Sequence, residues 1–228
     1  MPRRTAVVTG ASRGIGRAIA LRLAPDHDIV AAARSADDLA SLAADIRDRG
    51  GRCTPVAVDL ADGGAVAAAF AGVEADVVVN NAGVGVIKPL LEMTPEEWHR
   101  QVDVNFNALY HVTRALLPGM VERKRGHVVI IGSISGRSTF AGGTAYTGTK
   151  HAVMAFAECL LFEVRDRGVK VSVVSPGSVA TEFGVADPAS KSWALKPEDV
   201  AEAVAEVLAT SPNVLIHRVE IRALAKRQ

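Results

Sequence analysis

The chain has 228 residues, 49% of them hydrophobic and 22% charged, which suits one globular domain with a substantial core. Lysine and arginine total 26 against 25 for aspartate and glutamate, giving a formal net charge of +1. A balance this even offers no general attraction for nucleic acid or an anionic membrane. No apolar stretch has the length of a transmembrane helix, and the first residues do not resemble a signal-peptide core. We therefore expect neither a nucleic-acid nor a membrane partner.

The two cysteines, Cys53 and Cys159, lie far apart in the sequence. Neither has a His or Cys neighbour at the spacing of a metal site, so we predict no disulfide framework and no metal. A reducing, cytoplasmic location fits this cysteine usage best.

Short apolar runs alternate with longer amphipathic stretches along the whole chain, which is typical of a parallel sheet built from crossover units. Most of the apolar runs are rich in Val and Ile without polar alternation, so we expect helices to cover both faces of the sheet. The predicted strands lie near Ala6–Thr9, Ile29–Ala33, Thr54–Val58, Val77–Asn80, His127–Ile131, Lys170–Val174 and Val214–Ile221. The predicted helices are Gly14–Leu23, Ala36–Arg49, Gly64–Phe70, Pro95–Val121, Tyr146–Asp166 and Pro197–Ala209.

A glycine-rich loop, T-G-A-S-R-G-I-G at residues 9 to 16, follows the first predicted strand and opens a predicted helix. Glycines at positions 10, 14 and 16 permit a tight turn and let the backbone approach a pyrophosphate, which helix N-terminal N–H groups bind. An ordinary Gly-rich turn is the alternative. The strand, loop and helix context favours a dinucleotide site.

The end of the second strand indicates which dinucleotide binds. An NAD-selecting site usually places an acid there for the ribose 2′-OH, but this chain has Ala33 followed by Arg34. Arg34 and Arg13 could together clamp a 2′-phosphate, which favours NADP(H) over NAD(H). The alternative is that both arginines are solvated surface charges. Asp59 could accept from the adenine amino group, or could belong to a helix N-cap region.

Tyr146 and Lys150 lie four residues apart on one predicted helix, so their side chains share a face. A nearby cation favours the phenolate and moves a tyrosine toward proton exchange near neutrality. A surface pair is the alternative. Upstream, the strand His127–Ile131 runs into G-S-I-S-G, residues 132 to 136, which places hydroxyls at the carboxyl end of a strand, where open α/β sheets bind ligands.

These motifs together resemble the short-chain dehydrogenase/reductase family, main branch, over nearly the whole chain. The residues that carry the resemblance are T-G-A-S-R-G-I-G, Asp59-Leu60, Asn80-Asn81-Ala82-Gly83, Asn105, Ser133, Tyr146, Lys150 and S-P-G-S-V-A-T at 175 to 181. The resemblance implies a single α/β Rossmann domain over 1–228 whose doubly wound, seven-stranded parallel sheet has the order 3-2-1-4-5-6-7. It also implies a cofactor half of about 1–90, a catalytic half of about 91–228 and a substrate loop at 178–196.

The resemblance further implies a role for each catalytic residue. Tyr146 would give its proton to the carbonyl oxygen while NADPH delivers hydride, and Ser133 would stabilise the developing alkoxide. Lys150 would hold the nicotinamide ribose. Asn105 would anchor a water that links Lys150 to solvent, unless it only caps or kinks its own helix. Ser135 is a second possible contact.

The predicted cofactor site combines the glycine loop with residues implied by the family. Pro176, Gly177, Val179 and Thr181 would shape the carboxamide side of the nicotinamide pocket. The full set is Gly10, Ser12, Arg13, Gly14, Ile15, Gly16, Arg34, Asp59, Leu60, Asn81, Ala82, Gly83, Tyr146, Lys150, Pro176, Gly177, Val179 and Thr181.

The final strand region, V-L-I-H-R-V-E-I-R-A-L, lacks the Gly-Gly often seen in longer tetrameric members. We expect a homo-oligomer, and a dimer through the helices Pro95–Val121 and Tyr146–Asp166 would use their excess of apolar residues. The alternative is that this excess reflects burial in the layer that covers the sheet.

Specificity should come from residues 179–196, 84–87 and 139–144. Phe183, Trp193 and Leu195 form an apolar wall there, or are loop residues packed on the core. The expected function is hydride transfer between NADP(H) and a small carbonyl compound or secondary alcohol. Alternatives are a 3-oxoacyl thioester reductase and a non-catalytic NADP(H)-binding sensor. Because a sensor does not need a proton relay, the intact catalytic residues argue against the last.

Overall fold

The computed structural model describes residues 3–181, 183 and 192–224. Part of the predicted substrate loop 178–196, residues 182 and 184–191, lies outside the described residues. Seven parallel strands form one sheet in the order β3-β2-β1-β4-β5-β6-β7, as expected. The strands are β1 Arg4–Thr9, β2 His27–Ala33, β3 Cys53–Ala57, β4 Val77–Asn80, β5 Gly126–Ile131, β6 Val169–Pro176 and β7 Arg218–Ile221. The helices are α1 Gly14–Leu23, α2 Ala36–Asp48, α3 Gly63–Ala69, α4 Pro95–Val102, α5 Ala108–Glu122, α6 Thr144–Val164 and α7 Pro197–Leu208.

Helices cover both faces of the sheet, so the core consists of two layers. One apolar cluster packs the sheet against α1, α2 and α7, and the other packs it against α3, α5 and α6. Successive residues of β1 alternate between them, with Ala6 and Val8 in the first cluster and Val7 in the second. Since both faces of a strand are apolar when both are covered, this arrangement explains the continuous Val-rich runs of the sequence.

The prediction of a single helix over Pro95–Val121 is wrong in one respect. The helical stretch is interrupted by a π-helical turn at Asp103–Asn107, which separates α4 from α5. Within that turn the Asn105 side chain binds both backbone groups of Val84, at 2.7 Å to the N–H and 2.9 Å to the carbonyl oxygen. A π turn accommodates one extra residue per turn and is frequent at functional sites.

The last strand is shorter than the expected Val214–Ile221. Only Arg218–Ile221 pairs with β6 as a strand. Before it, the backbone carbonyls are bound by side chains from β6, with Lys170 Nζ donating to Val214 O at 2.7 Å and Ser172 Oγ donating to Ile216 O at 2.6 Å. These side-chain bonds take the place of a ladder, so apolar residues ahead of β7 do not continue it.

Side chains cap the first turns of α4 and α3. Thr94 and Glu97 form a capping box on α4, with Glu97 N–H donating to Thr94 Oγ1 at 3.3 Å and Thr94 N–H donating to Glu97 Oε2 at 2.9 Å. Asp62, and not Asp59, is the N-cap of α3 and accepts from the N–H groups of Gly64 and Ala65. The helix-cap alternative for Asp59 is therefore wrong.

His127 is buried in β5, with Nε2 2.8 Å from Ser172 Oγ. Burial, and to a lesser extent the charge of Lys170, lowers the pKa of His127 to about 4. An unfolded histidine has a pKa of about 6.5. Between these pH values the unfolded state binds more protons, so the free energy of unfolding falls as the pH falls, by about 2 kcal/mol from this residue between pH 7 and pH 5.

His127→Gln, which cannot titrate, is expected to lose about 2 kcal/mol less stability than the original protein between pH 7 and pH 5. Urea unfolding at the two pH values measures this difference. His99→Gln, at an exposed position of α4, serves as the control and should retain the full loss. Equal losses in the His127 variant and the original protein would contradict the prediction.

Candidate active site

The sequence-predicted site residues meet at the carboxyl ends of the central strands. The glycine loop follows β1, the N-N-A-G segment follows β4, Ser133 follows β5 and Gly177 follows β6. The strand order reverses between β1 and β4, which opens the crevice where doubly wound sheets bind ligands.

Ser133, Tyr146 and Lys150 come together in the structure. The side chains of Tyr146 and Ser133 share a hydrogen bond, which agrees with the choice of Ser133 over Ser135. Lys150 Nζ lies 6.0 Å from the centroid of the Tyr146 ring and donates to the Ile131 carbonyl oxygen at 3.0 Å. The arrangement places two hydroxyl groups and an amine at the end of β5.

Burial controls the electrostatics of this group. It raises the pKa of Tyr146, and the hydrogen bond with Ser133 offsets only part of the increase. Burial also lowers the pKa of Lys150 to about 8. The expected lowering of the tyrosine pKa by the neighbouring ammonium is therefore not seen here, because burial disfavours the phenolate and the opposing contribution comes from Ser133.

Asn105 connects the loop after β4 to helix α6. Its amide Nδ2 donates to Thr149 Oγ1 at 3.1 Å, and Thr149 Oγ1 donates to the Tyr146 carbonyl oxygen at 2.8 Å. A cavity of about 10 Å³ is bordered by Asn105, Lys150 and Asn80, at the lower limit of the space that one water needs. The side chain thus both occupies the π turn and fixes the turn of α6 that carries the tyrosine.

The glycine loop fits a pyrophosphate because its backbone carries no side chain at positions 10, 14 and 16, where a phosphate could approach it. Gly10 has a φ of +63°, and a Cβ on Gly16 would lie 2.2 Å from the Gly10 carbonyl oxygen. The first turn of α1 has no acidic residue, so its N–H groups present an unopposed positive dipole end. Thr181 lies over the loop, with Cγ2 3.4 Å from where a Gly14 Cβ would be.

The N-N-A-G segment braces this loop. Asn81 Nδ2 donates to the carbonyl oxygens of Thr9 and Gly10, at 2.9 and 3.3 Å. Thr9 Oγ1 accepts from the N–H groups of Asn81 and Ala82, at 3.0 and 3.2 Å. Both side-chain hydrogen bonds of Asn81 are with the protein backbone, so this side chain positions the loop.

The adenosine side of the crevice is more open. Arg13, Arg34 and Asp59 are all exposed, and Ala33 is buried at the end of β2. Asp59 Oδ1 accepts from the Ala61 N–H at 3.0 Å. No acidic side chain occupies the position that selects NAD, and the exposed guanidinium of Arg34 directly follows it.

The segment after β6 is anchored on two sides. Gly177 N–H donates to the Ile221 carbonyl oxygen at 2.8 Å, and Val179 forms a bridge with Leu195. Leu195 packs against the core, so the core-packing alternative holds for it. Trp193 lines an open groove of about 450 Å³ with Leu224. Phe183, the third residue of the expected apolar wall, contacts the ring of Tyr146.

Comparison with known proteins agrees with this geometry. The family model described as short chain dehydrogenase matches residues 4–191. The chain belongs to the short-chain dehydrogenase family.

Several known proteins are similar to this short-chain dehydrogenase along most of its length. The NADP-dependent 3-hydroxy acid dehydrogenase YdfG of Salmonella typhi is 35% identical over 94% of this chain and 93% of its own. A metagenomic short-chain oxidoreductase solved with NADP is 37% identical, with a TM-score of 0.87 over 97% of this chain and 98% of its own. A 3-oxoacyl-[acyl-carrier protein] reductase from Brucella melitensis is 34% identical, with a TM-score of 0.86 over 96% and 89%. The chain is thus an oxidoreductase of this family.

Two positioning residues were missed from the sequence. Gln101 is buried on α4 and its Oε1 accepts from the Val86 N–H at 3.1 Å. His111 on α5 lies with Nδ1 3.2 Å from the Leu60 carbonyl oxygen and so supports the predicted adenine loop. Gln101 precedes Asn105 by four residues, which places both on one face of the helix and could have indicated a shared target. His111 carried no comparable signal.

Among the described residues, no helix is long and apolar enough to span a membrane. In the same part of the chain, no cluster of three or more His, Cys, Asp or Glu side chains is arranged to hold a metal ion.

Proposed function

We propose that this short-chain dehydrogenase is an NADP(H)-dependent oxidoreductase acting on a small carbonyl compound or the corresponding secondary alcohol. The observation that carries the proposal is the hydrogen-bonded pair of Ser133 and Tyr146 with Lys150 beside it. NADP(H), when bound, supplies or accepts the hydride at the substrate carbon. The similarity to a named NADP-dependent 3-hydroxy acid dehydrogenase makes small hydroxy acids a natural first substrate class.

In the reductive direction, Tyr146 donates its phenolic proton to the substrate oxygen. A raised pKa keeps the phenol protonated, as an acid requires. Ser133 donates its hydroxyl hydrogen to the same oxygen as negative charge develops. In the oxidative direction Tyr146 takes the proton back. Lys150 holds the ribose hydroxyls and, when protonated, stabilises the phenolate. Asn105 fixes the turn of α6 that carries Tyr146, through its hydrogen bond to Thr149.

The cofactor would lie across the carboxyl ends of the strands, with the pyrophosphate at the start of α1 and the nicotinamide beside Tyr146. Arg13 and Arg34 would hold the 2′-phosphate. We assign the whole cofactor site to Gly10, Ser12, Arg13, Gly14, Ile15, Gly16, Arg34, Asp59, Leu60, Asn81, Ala82, Gly83, Tyr146, Lys150, Pro176, Gly177, Val179 and Thr181.

The first test is a paired fluorescence titration with NADPH and NADH, followed by oxidation of NADPH against ketones, aldehydes and 3-oxoacyl thioesters. Turnover with preference for NADPH supports the proposal. Equal or tighter binding of NADH would overturn the cofactor assignment. Tight binding with no turnover of any carbonyl compound would instead indicate a sensor.

Arg34→Leu is expected to weaken NADPH binding by about tenfold to a hundredfold, which is the effect of losing hydrogen bonds to a charged group. NADH binding should change little, because NADH lacks the 2′-phosphate. Arg47→Leu, an exposed arginine in the last turn of α2, the helix that follows Arg34, is the matched control. Fluorescence titration of both cofactors measures the effect. A parallel loss of NADH affinity would point to a general structural defect.

A 3-oxoacyl thioester reductase is the second candidate, favoured by the similarity to the Brucella melitensis enzyme. A kcat/KM for acetoacetyl thioesters well above that for free ketones would select it. The division into a cofactor half and a catalytic half remains a prediction. We also propose a homo-oligomer, since α5 and α6 leave Tyr110 and Phe162 more than half exposed, at 53% and 60%.

A further inference from the structure

Phe183 lies against the ring of the proposed acid/base. The ring centroids of Phe183 and Tyr146 are 5.5 Å apart, with an interplanar angle of 55°. The Phe183 N–H donates to Thr181 Oγ1 at 3.3 Å, which holds its backbone beside a residue that contacts the glycine loop. The aromatic ring therefore occupies space next to the tyrosine that a substrate substituent would otherwise use.

Gly85 forms the other surface against which this ring packs. A Cβ at position 85 would lie 2.5 Å from Phe183 Cζ and 2.6 Å from Cε1, much closer than the contacts that real Cβ atoms make. The ring thus rests directly on the backbone of Gly85. Any side chain at this position would displace Phe183.

The residues on either side of Gly85 are fixed from below. Asn105 binds both backbone groups of Val84, and Gln101 accepts from the N–H of Val86. Asn105 and Gln101 are both buried, with 4% and 0% of their surface exposed. Because buried hydrogen-bonded groups are costly to release, the Gly85 backbone is a rigid support for the ring.

The nearby surface is apolar. Val84 and Val86 are half-buried and Phe183 is 38% exposed. The charged side chain that follows in this loop, Lys88, forms an ion pair with Glu97 at 2.6 Å. A substrate group placed between Tyr146 and this loop would therefore meet aromatic and aliphatic atoms.

We propose that Phe183 and Gly85 form a steric gate beside Tyr146 that restricts one substituent of the carbonyl carbon to about the size of a methyl group. The substrate oxygen is fixed by Tyr146 and Ser133, so a larger group on that side meets the Phe183 ring. The enzyme would then favour methyl ketones and the matching secondary alcohols. This inference rests on the proposed function.

The test compares two isomeric ketones, heptan-2-one and heptan-4-one, which differ in whether one substituent is a methyl group. We expect the original protein to prefer heptan-2-one in kcat/KM. Phe183→Ala should reduce that preference at least about tenfold by accelerating heptan-4-one, the range that a few methylene groups in an apolar pocket produce. Phe183→Leu should give an intermediate ratio. Val214→Ala, at an exposed position ahead of β7, should leave the ratio unchanged.

Gly85→Ala provides an independent check through a double-mutant cycle. It should change the ratio of the two ketones in the original protein but have little effect in the Phe183→Ala background, since the clash partner is then absent. NADPH titration of each variant verifies that it is folded. Reduction of heptan-2-one with an unchanged ratio in Phe183→Ala would overturn the gate and leave the proposed function intact. Failure to reduce any carbonyl compound would overturn both.

Discussion

Tyr146→Phe is expected to lower kcat by about a thousandfold, within the usual contribution of a positioned acid/base group. The substitution removes only the hydroxyl that shares a hydrogen bond with Ser133. Ser133 Oγ keeps the Ser135 N–H as a donor, at 3.1 Å, so the variant should fold normally. The affinity for NADPH should change less than about threefold, since one neutral hydrogen bond contributes only modestly and the other residues assigned to the cofactor are unaltered.

Steady-state kinetics with a ketone that the original protein reduces, together with NADPH fluorescence titration, measures both parts of this result. Tyr110→Phe, at an exposed position of α5, is the control for loss of a tyrosine hydroxyl elsewhere. A Tyr146→Phe variant within tenfold of the original kcat would mean that another group moves the proton.

Lys150→Met is expected to abolish turnover and to make the protein without cofactor more stable. Burial lowers the pKa of Lys150 to about 8, whereas an unfolded lysine has a pKa of about 10.4. The unfolded state therefore binds more protons between these values, so the free energy of unfolding rises with pH across this window. At pH 7 the buried charge destabilises the folded protein by about 3 kcal/mol. The substitution removes this cost, but it also removes the hydrogen bond to Ile131 O, which stabilises the fold by about 1 kcal/mol.

The net expectation for Lys150→Met is a gain of about 2 kcal/mol in the free energy of unfolding at pH 7. Between pH 7 and pH 9 the original protein should gain about 1 kcal/mol more than the variant does. Urea unfolding at both pH values tests this, with the exposed Lys196→Met as control. A variant less stable than the original protein at pH 7 would show that the amine stabilises the fold through its hydrogen bond.

The parts of the site that follow from local chemistry could be predicted. The glycine loop needs small residues wherever it occurs, and the spacing of Tyr146 and Lys150 gives one helix face. Hydroxyl groups after β5 meet them because the carboxyl ends of parallel strands share an edge. The choice of Ser133 over Ser135 comes from the family resemblance, because this rule places both hydroxyl groups at the same edge.

The parts that depend on long-range contacts could not be predicted. Phe183 and Gly85 are in contact although about a hundred residues separate them in the sequence, and no local pattern in either segment predicts this contact. The π turn at Asp103–Asn107 is invisible to a helical pattern, since an apolar stripe tolerates one added residue. Burial of the ring raises the pKa of Tyr146, and the helical spacing of Tyr146 and Lys150 does not reveal how deeply the ring is buried.

The edges of the sheet limit how copies of this protein can associate. At one edge, β3 contains Pro55, which has no N–H to offer a further strand. At the other edge, β7 is only four residues long and carries Arg218 and Glu220, and short charged edge strands resist pairing. Neither edge is a template for fibre growth, so we expect concentrated protein to resist strand-to-strand aggregation.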